Sequence, residues 1–232
     1  MDSLTHIKTT YGISDAACAG KMPIEIPNTD RKTLARLTYH LGFTRGVEVG
    51  VERAMYSETI CQANPLMHLY CVDAWTAYKG YRDHVVQQKL DRFHRETIER
   101  MAPYHATIIK AFSMDAVKTF EDGSLDFIYI DGNHDIHSTI NDIAEWSKKV
   151  RAGGIIAGHD YVRYRWPNRI HVVQAVNAWV DAEEVRPWFL LGTQAKHEGY
   201  FRDDARSWFW VHAPREIKRR GGLRKGFPHV KQ

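Results

Sequence analysis

The stretch VEVGVERAMYSETI, residues 47–60, reads as a strand that ends on an acid and a glycine, a turn, and then the start of a helix. Eight residues later HLYCVD, residues 68–73, repeats the theme, placing Asp73 at a strand end 25 residues after Glu48. Apolar runs of this kind recur at 107–110, 126–131, 155–159, 188–191 and 208–212, each bounded by turn residues. Helix-period segments lie between them at 31–41, 54–62, 81–101, 113–120, 136–150 and 172–184. Strands alternating with helices predict an α/β fold with one mostly parallel sheet of seven strands and helices on both faces. The last two strands have no helix between them, so the final strand is expected to run antiparallel at the sheet edge.

At 232 residues the chain suits one ordinary domain. The reading divides it into an N-terminal extension, 1–29, a domain, 30–213, and a basic flexible tail, 214–232. The net charge of +4 invites a nucleic-acid reading, but the tail alone carries seven Lys or Arg against one acid. Positions 1–213 hold 25 basic and 27 acidic residues, a mildly acidic body that makes a nucleic-acid partner unexpected. There is no apolar run of membrane-spanning length and no secretory pattern at the start, so a cytoplasmic protein without a membrane partner is expected. Cys18, Cys61 and Cys71 form no CxxC pair and read as small buried hydrophobes rather than a disulfide or zinc framework.

In an open α/β sheet, ligands bind at the carboxyl ends of the strands. Gly50 there permits close backbone approach, and Asp73 can accept hydrogen bonds from the two hydroxyls of a ribose. The GxGxxG dinucleotide fingerprint is missing, because Gly46 lies inside the strand and Ala54 fills the later glycine slot. Ser113, in KAFSMDAV, offers a hydroxyl that could read the edge of an adenine with Met114 against its face, or it could simply cap the helix. The richest segments are FIYIDGNHD and AGGIIAGHDY, where Asp131, His134, His159 and Asp160 stand at two adjacent strand ends. Carboxylate and imidazole donors together suit a divalent ion, and a histidine there could equally serve as a general base. The GNHD block, residues 132–135, also occurs in metallophosphoesterases, but their other motifs do not appear here in order.

Taken in order, EVGVERAMYS, CVDAW, AFSMDA, DFIYIDGNH and AGGIIAGHDY resemble class I S-adenosylmethionine-dependent methyltransferases. The nearest likeness is to the small-molecule O-methyltransferases whose fourth strand ends in IDGxH, and it covers about residues 30–212. The resemblance implies a Rossmann-like sheet with Glu48, Gly50 and Ser57 near the methionine part of the cofactor, Asp73 on its ribose, and Ser113 and Met114 at its adenine. It places Asp131 beside the cofactor and in catalysis, makes His134 the catalytic base, and assigns Mg or another divalent metal to Asp131, His159 and Asp160. His159 stands where many metal-dependent members have a carboxylate, and Ala54 where they have glycine.

The implied reaction is O-methylation of a small-molecule or sugar-like hydroxyl. Two other readings compete: a nucleotide-binding or NAD-linked oxidoreductase, and a non-catalytic adenosyl binder or nucleic-acid partner acting through Arg219, Arg220, Arg224 and Lys225. Acceptor choice is expected to lie in residues 1–30, in WTAYKGYRDH and in VRYRWPNRIH at 162–171, and a homodimer is compatible with the sequence.

Overall fold

A computed structural model describes residues 2–78, 86–163, 170–195, 198–199 and 205–213. The strands are β1 (Ile24–Ile26), β2 (Arg45–Val49), β3 (His68–Asp73), β4 (Ala106–Lys110), β5 (Leu125–Ile130), β6 (Val150–Tyr161), β7 (Phe189–Leu191) and β8 (Arg206–Val211). They form one sheet in the order β1-β7-β8-β6-β5-β2-β3-β4. All neighbouring pairs are parallel except those of β8, which runs antiparallel to both β6 and β7.

Two expectations need correction. The sheet has eight strands, not seven, because Ile24–Ile26 of the N-terminal segment pairs with β7. The antiparallel strand is not at the edge: β8 fills the gap between β6 and β7, and β1 covers the outer side of β7. The expected start of the helix at 81, most of the aromatic and basic loop 162–171, and the tail 214–232 lie outside the described residues.

The helices are α1 (Ser3–Tyr11), α2 (Asp15–Ala19), α3 (Arg31–His40), α4 (Met55–Ala63), α5 (Gln87–Met101), α6 (Ser113–Ala116), α7 (Ile136–Ser147) and α8 (Val172–Ala182). The expected helix at 113–120 is one α-turn followed by a 3₁₀ turn at Val117–Thr119. Local chemistry fixes the starts of the longer ones. Asp30 and Thr33 form a reciprocal capping box at α3. Asp135 accepts from the amides of His137 and Ser138, which caps α7.

Because both faces of a parallel sheet are covered, its central strands are apolar almost throughout. Side chains of β5 alternate accordingly. Phe127 and Tyr129 face a layer containing Leu34, Ile60 and Phe93 of α3, α4 and α5, whereas Ile128 and Ile130 face Ile143, Trp146 and Val176 of α7 and α8. Cys61 and Cys71 are buried in the first layer, where burial pushes the Cys61 thiol up to about 12, while Cys18 is only half-buried. No helix among the described residues is long and apolar enough to cross a membrane.

Candidate active site

The register brings the carboxyl ends of β2, β3, β4, β5 and β6 to one side of the sheet. The ladders run one residue past the strands: Gly50 N donates to Val72 O at 2.9 Å, and Asp131 N donates to Val49 O at 2.7 Å. Gly50 has φ +87°, and a Cβ built on it would stand 2.1 Å from the carbonyl oxygen of Asp131. Only glycine satisfies both demands. Beyond it the turn into α4 bends twice more through the left-handed region, at Glu52 and Ala54. Ala54 thus adopts the conformation that a glycine would take at lower cost.

These ends border a cavity of about 480 Å³, within the range of small-molecule sites. Gly50, Asp73, Ser113, Met114, Asp131 and His134 all line it, so the structure gathers six of the residues singled out from the sequence. Asp73 is held by the amides of Glu52, on Oδ2 at 2.9 Å, and Trp75, on Oδ1 at 2.8 Å. Burial raises its pKa, and these two amides work against the rise. Trp75 is itself buried and donates from Nε1 to Glu52 O, so it braces the turn and is not part of the lining.

Glu48 and Ser57 do not reach the cavity. Glu48 points to the opposite face of β2 from Val47 and Val49, is 2% exposed, and accepts a hydrogen bond from Ser57 Oγ. Burial pushes the Glu48 carboxyl up to about 8; the Ser57 hydroxyl opposes this and the charge of Asp131 adds to it.

Asp131 and His134 of the lining meet Asp160, which stands behind it: ligand atoms of the three lie within 4.8 Å of one another. His134 Nε2 is 2.9 Å from Asp160 Oδ2 and 3.6 Å from Asp131 Oδ1. His159, expected as a ligand, flanks this group instead, with Nδ1 3.5 Å from Asp160 and 3.9 Å from Asp131. Burial alone would depress the His159 imidazole, but its hydrogen bond with Asp160 and the charge of Asp131 hold it above its ordinary value. Asp160 shows the reverse balance: burial would raise its carboxyl, and the two imidazoles outweigh that and hold it well below the carboxylate range. Two carboxylates and one imidazole within reach of a single point fit a divalent ion, with the nitrogen favouring first-row transition metals more than an all-oxygen set would.

The lining also includes residues to which the sequence reading gave no role, among them Phe112, Asn133 and Asp142, while Tyr78 comes from the WTAYKGYRDH segment expected to govern acceptor choice. Asn133 Nδ2 donates to Tyr78 Oη at 3.0 Å, and the Tyr78 and Phe112 rings meet edge-on at 5.4 Å. For Asp142 a signal was present, since it lies on the same α7 stripe as Thr139, Ile143 and Trp146, an acid where a core residue would be expected. Burial raises its carboxyl to about 7, opposed by a hydrogen bond from Ser113.

In an alignment of 86 positions that covers 34% of this chain and 38% of the relative's length, the sequence is 34% identical to an uncharacterized protein of Acanthamoeba polyphaga mimivirus. Among solved structures, an O-methyltransferase from Bacillus cereus in complex with S-adenosylhomocysteine superposes with a TM-score of 0.57 at 17% identity, covering 90% of each chain. The O-methyltransferase TomG from Streptomyces achromogenes, in complex with S-adenosylmethionine, gives 0.53 at 15% identity over 79% of each chain. The N-methyltransferase NodS from Bradyrhizobium japonicum gives 0.52 at 12%, covering 79% of this chain and 95% of that one. At such identities these likenesses establish the fold. Residues 45–161, which carry β2 through β6 and every cavity-lining residue named above, match the family described as methyltransferase domain, and the chain therefore belongs to that methyltransferase family.

Proposed function

We propose that the protein transfers a methyl group from S-adenosylmethionine to a hydroxyl of a small-molecule acceptor. The observation that carries this reading is the cavity itself. Asp73, which we read as the ribose acceptor, and Ser113 with Met114 line it in common with the Asp131 and His134 pair. The reading is supported by the Bacillus cereus and Streptomyces achromogenes neighbours, both O-methyltransferases named with this cofactor or its demethylated product.

S-adenosylmethionine supplies an electrophilic methyl group on a sulfonium, and a divalent ion, when bound, lowers the pKa of a coordinated hydroxyl. Residues of this chain supply the remainder. Asp73 orients the donor through its ribose, and the cavity holds donor and acceptor side by side, an alignment that can contribute up to about 7–11 kcal/mol. Asp131, His134 and Asp160 are the residues that would hold an ion. His134 can donate from Nε2–H to Asp160 or ligate through Nε2, but not both. In the first state proton uptake falls to Nδ1, and Asp160 and Asp131 stabilise the imidazolium that results.

Calorimetric titration of the full chain with S-adenosylhomocysteine tests the donor half. Binding is expected, and Asp73→Ala should weaken it about tenfold or more by removing a charged acceptor. For the catalytic half, methyl transfer is followed with acceptors screened among phenols, catechols and sugars. Alanine at His134 is expected to slow transfer about a hundredfold with little change in cofactor affinity. Transfer undiminished by alanine at both Asp131 and His134 would rule out this assignment.

A further inference from the structure

One carboxylate in the cavity has no part in the chemistry above. Asp142, in the middle of α7, is only 4% exposed, yet it contributes to the lining. Its Oδ1 accepts from Ser113 Oγ, and Ser113 accepts in turn from Trp146 Nε1 at 2.8 Å. Indole, hydroxyl and carboxylate thus form a chain that fixes one oxygen of Asp142. Oδ2 receives no hydrogen bond from the described residues. It lies over Gly132, also in the lining: a Cβ built on that glycine would stand 3.6 Å from Oδ2. With only hydrogen at position 132, no side chain of that residue stands between Oδ2 and the cavity.

A buried carboxylate oxygen aimed at a ligand cavity is costly unless a donor meets it. Ser113 is not that donor's reader, because its hydroxyl hydrogen is already committed to Asp142. Met114, beside Ser113 in the lining, offers an apolar surface for a flat ring.

We propose that Asp142 Oδ2 accepts a hydrogen bond from the exocyclic amine of the cofactor's purine, so that Asp142 selects an amino-purine over a keto-purine, with Ser113 as its positioning residue. The inference rests on the adenosyl reading above and adds a named determinant to it. Adenine presents an N–H donor at that ring edge, which a carboxylate welcomes. Hypoxanthine presents a carbonyl oxygen there, and against the ionised carboxylate two acceptors face each other with nothing between.

The test compares S-adenosylhomocysteine with S-inosylhomocysteine by calorimetry on the full chain at a pH of about 8.5, above the value of about 7 to which burial lifts Asp142, so that the carboxylate is ionised. The wild type is expected to prefer the adenosyl ligand by about tenfold or more, the value of one hydrogen bond to a charged group. Asp142→Asn keeps the shape and can present either an amide N–H or a carbonyl, so the preference should fall to about threefold or less. Ser113→Ala removes the brace on Oδ1 while leaving the carboxylate, and should at least halve the preference; it decides the matter if Asp142→Asn does not fold. A preference that survives unchanged in the folded variants overturns the proposal alone. A wild type that binds neither ligand overturns the adenosyl reading and the proposal with it, and that failure is recognisable because it precedes any substitution.

Discussion

Glu48→Gln is expected to make the protein more stable than the wild type at pH 9, by up to about 5 kcal/mol, and to leave it nearly unchanged at pH 4.5. The sign follows from the direction of the shift. Burial lifts the Glu48 carboxyl from 4.5 to about 8, so the folded state favours the protonated form. Its contribution is complete below the unfolded value of 4.5 and is lost as the pH rises from there through about 8. Glutamine keeps the volume and can still accept from Ser57, but it carries no charge to desolvate. Urea unfolding of both proteins at pH 4.5, 7 and 9 provides the check. Parallel stability profiles would mean that Glu48 does not ionise at the buried position described.

Gly50→Ala is expected to destabilise the fold by about 3–5 kcal/mol, combining the left-handed penalty with overpacking. The atoms that a new Cβ would meet are backbone: the Asp131 carbonyl at 2.1 and 2.4 Å and Gly132 Cα at 2.6 Å. Neither can rotate away, so the ends of β2 and β5 must part. Asp131 then moves relative to Asp73, and affinity for S-adenosylhomocysteine should fall with stability. Gly42→Ala is the control. Its φ is +68° but no atom lies within 4 Å of the added carbon, so only the conformational cost of about 1–2 kcal/mol should appear. Equal losses at the two positions would show that close approach at Gly50 contributes nothing.

The parts of the fold visible in the sequence are those that local patterning dictates. GVEVG, HLYCVD and DFIYID are buried parallel strands with turn residues at their ends, and their order places Gly50, Asp73 and Asp131 side by side. β1 was invisible because three residues carry no period, and its partner β7 lies 165 positions away, Ile24 facing Phe189. The insertion of β8 between β6 and β7 depends on pairing that no single segment specifies. Glu48 was misplaced for a different reason. Taken as a strand-end charge, it precedes the last strand residue, Val49, and alternation turns it to the opposite face. The sequence reading grouped Asp131, His159 and Asp160 as metal ligands, whereas the donor atoms that lie within 4.8 Å of one another belong to Asp131, His134 and Asp160. Asp160 adopts φ +57°, and His134 rather than His159 completes the cluster with it and Asp131. Backbone torsions of that kind leave no trace in residue spacing.

The placement of β8 also orders events during synthesis. Among the described residues, β7 meets the body of the sheet only through β8, and β1 meets it only through β7. β1, the first of the described strands to be made, is therefore among the last to find its place in the sheet, waiting for residues 206–211 to emerge. Until then β6 presents an unpaired edge, and β1 and β7 have no strand that joins them to the rest of the sheet. Such long-range closure slows folding and leaves apolar strands open to wrong partners. A chain stalled before Arg206 would thus hold β2 through β6, and with them the strand ends that form the cavity, on a sheet with one raw side.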